Sequence, residues 1–166
     1  MKKAVFFSAV KSVLYLAVTG ALAFWLGRLL PKGWFHYDRF PYRAFAFERE
    51  GRVYHRIGIR WWKEKLPDMS RIFPRLITSK RLPPAASAAR IEEMLQETCI
   101  AEFIHVLLCI TGFGVLFLWK GAGGWSVYML YLFGNIPYCL IQRYNRPKLA
   151  RIHSRQTEKE AKEAEK

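Results

Sequence analysis

The chain contains 166 residues, of which 52% are hydrophobic, and its formal net charge is +14. This length suits one domain, and so high an apolar content beside so large a charge is atypical of a soluble globular protein. The apolar residues gather into long runs, which argues against a nucleic-acid-binding module. We therefore expect a mainly α-helical membrane protein with about three transmembrane helices.

The first predicted element is a transmembrane helix at residues 4–30. At 1.5 Å per residue, its apolar run is long enough to cross a hydrocarbon core of about 30 Å. A cleaved signal peptide is the alternative, because a small-x-small site at residues 21–23 follows a basic start. Lys11 splits the apolar region and the run continues past that site, so we favour a retained helix.

Residues 31–84 are rich in arginine, lysine and aromatic residues. Such a composition is typical of a layer at the membrane surface, where aromatic rings are half buried and cations meet anionic lipid. Apolar residues alternate on both sides of a turn at residues 48–51, at Phe45, Phe47, Ile57, Ile59 and Trp61. The alternation favours a short β-hairpin, and an interfacial helix at residues 60–65 is the alternative.

A helical hairpin is predicted in the second half of the chain. Residues 85–119 form a helix that enters the membrane as the second transmembrane helix, and residues 125–142 form the third. Pro137 is tolerated there, because neighbouring groups in a membrane protein can satisfy the carbonyl that it frees. A basic tail follows at residues 143–166. Before the second helix enters the membrane, its apolar side carries Ile91, Met94, Leu95 and Thr98.

The Lys and Arg count predicts the topology. Residues 31–99 carry 14 of these side chains and residues 142–166 carry 8, whereas Lys2, Lys3 and Lys120 are the three on the other side. Cytoplasmic loops of membrane proteins are the basic ones. We therefore expect a multi-pass protein of the cytoplasmic membrane, with the interfacial segment and the C-terminus inside the cell.

No metal site is predicted. Cys99, Cys109 and Cys139 lie in apolar runs without CxxC spacing, which indicates packing residues rather than zinc ligands or disulfides. Glu102-x-x-His105 matches half of the ligand motif of di-iron helical bundles, but the chain contains only this one copy.

Polar residues of the two hairpin helices match in depth. Counted from the turn between the helices, His105 lies level with Asn135, and Thr98 lies level with Gln142. Thr98, Glu102 and His105 share one helix face. Polar groups are costly inside a membrane and usually face a cavity, so we predict a polar cleft open to the cytoplasmic leaflet.

Glu102 and His105 form the candidate catalytic pair. A carboxylate that binds one imidazole nitrogen fixes the tautomer and leaves the other nitrogen able to remove a proton from a hydroxyl. The alternative is a hydrogen bond that only holds two helices together.

Arg143, Asn145 and Arg146 lie where the third helix emerges, with Lys63 and Lys65 as possible companions. Arginine forks bind phosphate or carboxylate groups. Taken alone, such a cluster is more often an anchor for lipid headgroups.

Three motifs together resemble those of the glycosyl-4,4'-diaponeurosporenoate acyltransferases of the staphyloxanthin pathway. They are Trp62-Lys63-x-Lys65-Leu66-x-Asp68, Glu97-Thr98-x-x-Ala101-Glu102-x-x-His105, and Asn135-x-Pro137-x4-Gln142-Arg143-Tyr144-Asn145-Arg146-Pro147-x-Leu149. The resemblance runs in this order over residues 45–149. It implies transfer of a fatty acyl chain to a sugar hydroxyl of a glycosylated carotenoid in the membrane.

On this reading His105 is the general base, and Glu102 orients it. Asn135 or Asn145 stabilises the oxyanion. No serine or cysteine is placed as a nucleophile, so direct transfer without an acyl-enzyme is expected.

The remaining polar positions of the three motifs are assigned to substrates. Arg143 and Arg146 are predicted to bind the phosphates of acyl-CoA or a similar donor, used as a cosubstrate with no bound cofactor. Further substrate-binding or oxyanion contacts are predicted at Glu97, Thr98 and Gln142, and possible donor or headgroup contacts at Trp62, Lys63, Lys65 and Asp68. The expected partners are membrane lipids and a lipid-linked glycoside. The alternative function is a non-catalytic lipid-binding or scaffolding subunit.

Overall fold

The computed structural model describes residues 2–67 and 86–165. Helices dominate this part of the chain, which contains no β-strand, so the prediction of a mainly α-helical protein is confirmed. The α-helices are α1 (Lys2–Leu29), α2 (Ile59–Trp62), α3 (Ala88–Gly112), α4 (Val115–Leu118) and α5 (Ala122–Ala164), and 3-10 helices form at Lys32–Trp34 and Ala46–His55.

Two stretches are long and apolar enough to cross a membrane. They are α1, with a mean hydropathy of 1.7, and Ala88–Leu118, which comprises α3 and α4, with a mean hydropathy of 2.1. Only 6% of the most apolar part of α1 is buried, so its apolar side chains cover the surface instead of filling a core. An apolar surface of that extent suggests association with a membrane.

The last helix, α5, is 43 residues long and continues through Pro137 to Ala164. A helix of this length extends for roughly 65 Å, about twice the thickness of a hydrocarbon core. It therefore includes both the segment predicted to cross the membrane at residues 125–142 and the charged residues of the tail. The third crossing itself stays a prediction.

The β-hairpin predicted around residues 48–51 is wrong. Residues 46–55 form a 3-10 helix instead, and α2 follows within the predicted second strand. A 3-10 helix has three residues per turn, and the buried residues recur with that spacing at Glu48, Gly51 and Tyr54. Phe45 and Phe47, which suggested a buried strand face, are 38% and 68% exposed.

The chain forms two compact units. The first contains Met1–Pro31 and Ile100–Leu140, and the second contains Lys32–Cys99 and Ile141–Lys166.

In the first unit, glycines and one hydroxyl bring helices close together. A Cβ added to Gly27 would lie 3.1 Å from the Ile104 side chain, and one added to Gly112 would lie 2.6 Å from the Tyr131 ring. The hydroxyl of Tyr15 on α1 donates to the carbonyl oxygen of Thr111 on α3 at 2.7 Å. Small residues at such contacts allow the close packing that holds membrane helices together.

The second unit has a conventional apolar core. The predicted apolar side of α3 is buried at Ile91, Met94, Leu95 and Thr98, as expected from the helical spacing. Other elements of this unit contribute the buried residues Phe35, Tyr54, Ile59 and Tyr144. Cys99 is also buried, which fits its prediction as a packing residue.

Candidate active site

The predicted site residues are divided between the two units. The first unit contains the candidate catalytic residues Glu102 and His105, together with Asn135. The second contains Trp62, Lys63, Lys65, Glu97, Thr98, Gln142, Arg143, Asn145 and Arg146. Asp68 lies outside the described residues.

His105 and Asn135 are in direct contact. The Nδ1 atom of His105 lies 3.0 Å from Oδ1 of Asn135, which is buried. These are the residues that the depth count placed level with each other. A half-buried imidazole on one helix is thus held by a buried amide on another.

The other hydrogen bond of Asn135 determines which nitrogen of His105 carries the proton. The Nδ2 atom of Asn135 donates to the carbonyl oxygen of Tyr131 at 2.9 Å. A carbonyl oxygen only accepts, so the amide nitrogen must face Tyr131 and the amide oxygen must face His105. The Nδ1 of a neutral His105 therefore carries the hydrogen, and its Nε2 keeps a lone pair that can accept a proton.

Two further groups lie beside this pair. The ring of Tyr138 stacks on the His105 ring with a centroid separation of 4.8 Å and an interplanar angle of 9°. Glu102 is buried, and its backbone carbonyl oxygen accepts from Cys139 Sγ at 4.0 Å. The stacking and the Asn135 bond together fix the plane of the imidazole. The orienting role predicted for the Glu102 carboxylate stays a prediction.

A buried ion pair organises the predicted substrate residues of the second unit. The Arg143 guanidinium donates two hydrogen bonds to Glu48, from Nε to Oε1 at 2.5 Å and from Nη2 to Oε2 at 3.1 Å. The side chains are 13% and 2% exposed. The Glu48 carboxylate also accepts from the Tyr54 hydroxyl and from the backbone N–H of Phe45.

These contacts determine the charge states. Burial opposes ionisation of Glu48, but the hydrogen bonds from Arg143, Tyr54 and Phe45 outweigh it and hold the pKa of the carboxyl below its ordinary value. Burial is the larger cause and the hydrogen bond to Glu48 the second cause that raise the pKa of the Tyr54 hydroxyl above its ordinary value. Glu48 is therefore an anion and Tyr54 a neutral donor at physiological pH.

Arg146 forms a second buried connection within the same unit. Its Nε donates to Thr98 Oγ1 at 3.0 Å and its Nη2 to the Thr98 carbonyl oxygen at 3.2 Å. Its Nη1 donates to the Tyr42 carbonyl oxygen at 2.7 Å. Arg146 thus connects α5 to α3 and to Tyr42, which lies in the segment before the 3-10 helix Ala46–His55. Its predicted role in binding donor phosphates, like that of Arg143, stays a prediction.

Other predicted contacts also have protein partners. Glu97 forms an ion pair with Lys32 at 2.7 Å. The Trp62 indole N–H donates to the Ile57 carbonyl oxygen at 2.9 Å, and Lys65 Nζ lies 3.3 Å from the centroid of the Trp61 ring. Gln142 is buried, and Asn145 is half buried.

Glu48 and Tyr54 were not predicted as site residues. The sequence places Glu48 in a turn between two predicted strands, where a carboxylate among arginines carries no signal for burial. Glu48 and Gly51 are not hydrophobic, so the buried face of this 3-10 helix carries no hydrophobic period that could have revealed it.

A sequence model of the family described as glycosyl-4,4'-diaponeurosporenoate acyltransferase matches residues 31–155, a range that includes every predicted site residue. The chain belongs to the glycosyl-4,4'-diaponeurosporenoate acyltransferase family. It is therefore an acyltransferase, and the resemblance noted in the three sequence motifs is confirmed.

Curated relatives agree with this assignment. Glycosyl-4,4'-diaponeurosporenoate acyltransferases of Staphylococcus aureus strains bovine RF122 / ET3-1 and MRSA252 are each 28% identical to this family member over 130 residues. The protein of strain N315 is 27% identical over the same length. In each case the match covers 76% of both chains. No solved structure matches the chain.

Proposed function

We propose that the protein is an integral membrane O-acyltransferase that moves a fatty acyl chain from a thioester donor to a hydroxyl of a glycosylated lipid, such as a carotenoid glycoside. Family membership supports the reaction class. The observation that carries the assignment of the catalytic group is the hydrogen bond between His105 and Asn135, which leaves Nε2 of His105 as a base.

The proposed chemistry is a direct transfer. Nε2 of His105 removes the proton of the acceptor hydroxyl as its oxygen attacks the thioester carbonyl carbon. The new C–O bond forms, the tetrahedral intermediate collapses and the C–S bond breaks. The imidazolium returns its proton to the departing thiolate, so the products are an ester and a free thiol.

Asn135 is assigned here as a positioning residue. Its amide oxygen holds the Nδ1–H of His105, and its amide nitrogen is bound to its own helix. This orientation stabilises the imidazolium that forms during the reaction, much as an acceptor beside a catalytic histidine does in other acyl-transfer enzymes. The amide nitrogen carries a second N–H, so Asn135 or Asn145 is also proposed to stabilise the oxyanion.

The proposed donor is acyl-CoA or a similar soluble thioester, with no bound cofactor. The proposed acceptor and the surrounding lipids are membrane components. A cytoplasmic position for the basic residues 31–99 and 142–166 would place them on the side of the membrane where such a donor is found. Nucleic acid is not an expected partner.

The first test is a histidine substitution. His105→Gln keeps the polarity and approximate size of the side chain but removes the base, so turnover should fall by roughly 10²-fold or more. The readout is mass spectrometry of acylated glycolipids extracted from cells that express each variant, normalised to protein in the membrane. His36→Gln, at an exposed position, is the matched control and should retain full turnover. Unchanged turnover in His105→Gln at normal abundance would reject His105 as the general base.

The same assay separates positioning from packing at Asn135. Asn135→Asp keeps an acceptor for Nδ1–H, whereas Asn135→Leu removes it at a similar volume. Asn135→Asp should therefore retain more turnover than Asn135→Leu.

Cys109→Ala with full activity would support direct transfer, and its complete inactivity would indicate an acyl-enzyme.

A further inference from the structure

A polar cavity lies in the second unit, and neither Glu48 nor Arg143 lines it. It has a volume of about 400 Å³ and is lined by His55, Arg60, Lys63, Glu64, Tyr144 and Lys148. We call it the lysine pocket. Three of its side chains are cations and one is a carboxylate, so the lining carries a net positive charge.

The floor of the lysine pocket is a fixed aromatic ring. Tyr144 is 1% exposed, and the edge of the His55 ring packs against it with a centroid separation of 5.4 Å. The Nζ of Lys63 lies 5.1 Å from the centroid of Tyr144, and the Nζ of Lys148 lies 3.6 Å from the same centroid. One buried ring therefore contacts two ammonium groups.

Among the described residues, no carboxylate forms an ion pair with Lys63 or Lys148. Because both Nζ atoms lie near the same ring centroid, their separation is below about 10 Å, which is the Debye length at 0.1 M salt. The two positive charges therefore repel each other. The arrangement contrasts with Arg143, whose charge is matched by Glu48. An anion placed between the lysines would relieve their repulsion.

We propose that the lysine pocket binds phosphate groups. Lysine ammonium groups bind phosphate as point charges, and the guanidinium fork of Arg60 can bind two phosphate oxygens at once. The polar lining suits a phosphorylated headgroup rather than an acyl chain. The phosphate could belong to a soluble coenzyme donor or to an anionic lipid, and the chemistry of recognition is the same for both.

Phosphate binding can be measured without turnover, so this proposal stands or falls independently of acyl transfer. The full-length protein in phosphatidylcholine nanodiscs is titrated with inorganic pyrophosphate by calorimetry. Lys63→Gln/Lys148→Gln should weaken binding by about 10-fold or more, because two phosphate contacts are lost. Lys159→Gln/Lys162→Gln, on the helix that carries Lys148, removes the same net charge outside the pocket and should leave the affinity unchanged.

A change of opposite sign guards against misfolding. Glu64→Gln removes the one carboxylate of the pocket lining, so it should tighten pyrophosphate binding by about three-fold. Lys63→Arg/Lys148→Arg should retain binding. Equal affinity in the wild type, Lys63→Gln/Lys148→Gln and Glu64→Gln would overturn the proposal. So would equal weakening by the pocket and tail double variants.

Two comparisons identify the source of the phosphate. Coenzyme A binding where pantetheine, which lacks the phosphates, does not bind would indicate the soluble donor. Loss of pyrophosphate binding in nanodiscs that contain phosphatidylglycerol would indicate a lipid headgroup. Each result supports the phosphate site, and absence of binding to pyrophosphate, coenzyme A and phosphatidylglycerol alike would reject it.

Discussion

Glu48 carries a charge that is almost fully buried, and every described contact of its carboxylate is a donor. Arg143 supplies two of them, and Tyr54 and the Phe45 backbone supply the others. A buried ion pair is no more stable than a well-packed apolar pair, but the loss of one partner leaves the other charge unpaired. The main effect of the pair is therefore to fix the position of the 3-10 helix Ala46–His55 on α5, and its net contribution to the free energy of unfolding is small.

Glu48→Gln should destabilise the protein by about 3 kcal/mol at neutral pH, because it leaves the guanidinium of Arg143 without its carboxylate. The folded-state pKa of Glu48 is below the ordinary value of 4.5. Its stabilisation is thus fully present above pH 4.5 and is lost as the pH falls through the folded-state pKa. Thermal unfolding in detergent at neutral and acidic pH should show the difference between wild type and Glu48→Gln shrinking with acid.

The exposed ion pair between Lys159 and Glu163 provides the control. These side chains are 66% and 63% exposed and 3.8 Å apart, so Glu163→Gln should leave the unfolding temperature unchanged within error. A difference between wild type and Glu48→Gln that stays constant with pH would mean that the carboxylate is not the stabilising group.

Among the elements, the long helices are predictable and the short ones are not. The apolar runs of α1 and α3 are long enough to identify a helix from composition alone. The 3-10 helix Ala46–His55 buries Glu48 and Gly51, so hydrophobic periodicity cannot reveal it. The alternating aromatic residues that suggested strands are exposed side chains.

Gly51 is the position where this 3-10 helix depends most on a missing side chain. Its φ is +89°, and an added Cβ would lie 3.2 Å from the Tyr144 carbonyl oxygen. Gly51→Ala should cost about 2 kcal/mol or more, combining the left-handed backbone with a tight contact. Gly58 has a φ of +66° with nothing within 4 Å, so Gly58→Ala should cost only the backbone term of about 1 kcal/mol.

Unfolding temperatures of Gly51→Ala, Gly58→Ala and Gly33→Ala measure the cost of the left-handed backbone and the cost of the tight contact separately. Gly33 also has nothing within 4 Å of an added Cβ, and its substitution should be nearly neutral. The expected order of unfolding temperatures is Gly33→Ala highest and Gly51→Ala lowest. If Gly51→Ala and Gly58→Ala have the same unfolding temperature, the contact of the added Cβ with the Tyr144 carbonyl oxygen does not affect stability.

At the scale of the whole molecule, some site contacts follow from helix geometry and others do not. His105 and Asn135 could be paired from the sequence, because two helices joined by a short turn place residues at countable depths. Arg143 binds Glu48 at a sequence separation of 95, and Arg146 binds Thr98 at a separation of 48. Such pairs depend on tertiary packing, which no local pattern encodes.

The number of membrane crossings is the remaining global property that a single experiment decides. Length and composition mark two stretches, Lys2–Leu29 and Ala88–Leu118, whereas the sequence predicts a third crossing at residues 125–142. Two crossings place the chain ends on the same side of the membrane, and three place them on opposite sides. The excess of Lys and Arg in residues 31–99 and 142–166 further predicts a cytoplasmic C-terminus.

An epitope at the N-terminus and a green fluorescent protein at the C-terminus test both points in intact cells. We expect bright fluorescence, because the reporter folds in the cytoplasm, and an epitope that externally added protease removes. Lys2→Gln/Lys3→Gln should leave this result unchanged, since it weakens only the inward pull on the N-terminus. A protected epitope with a fluorescent C-terminus would mean two crossings, and α5 would then lie wholly on the cytoplasmic side.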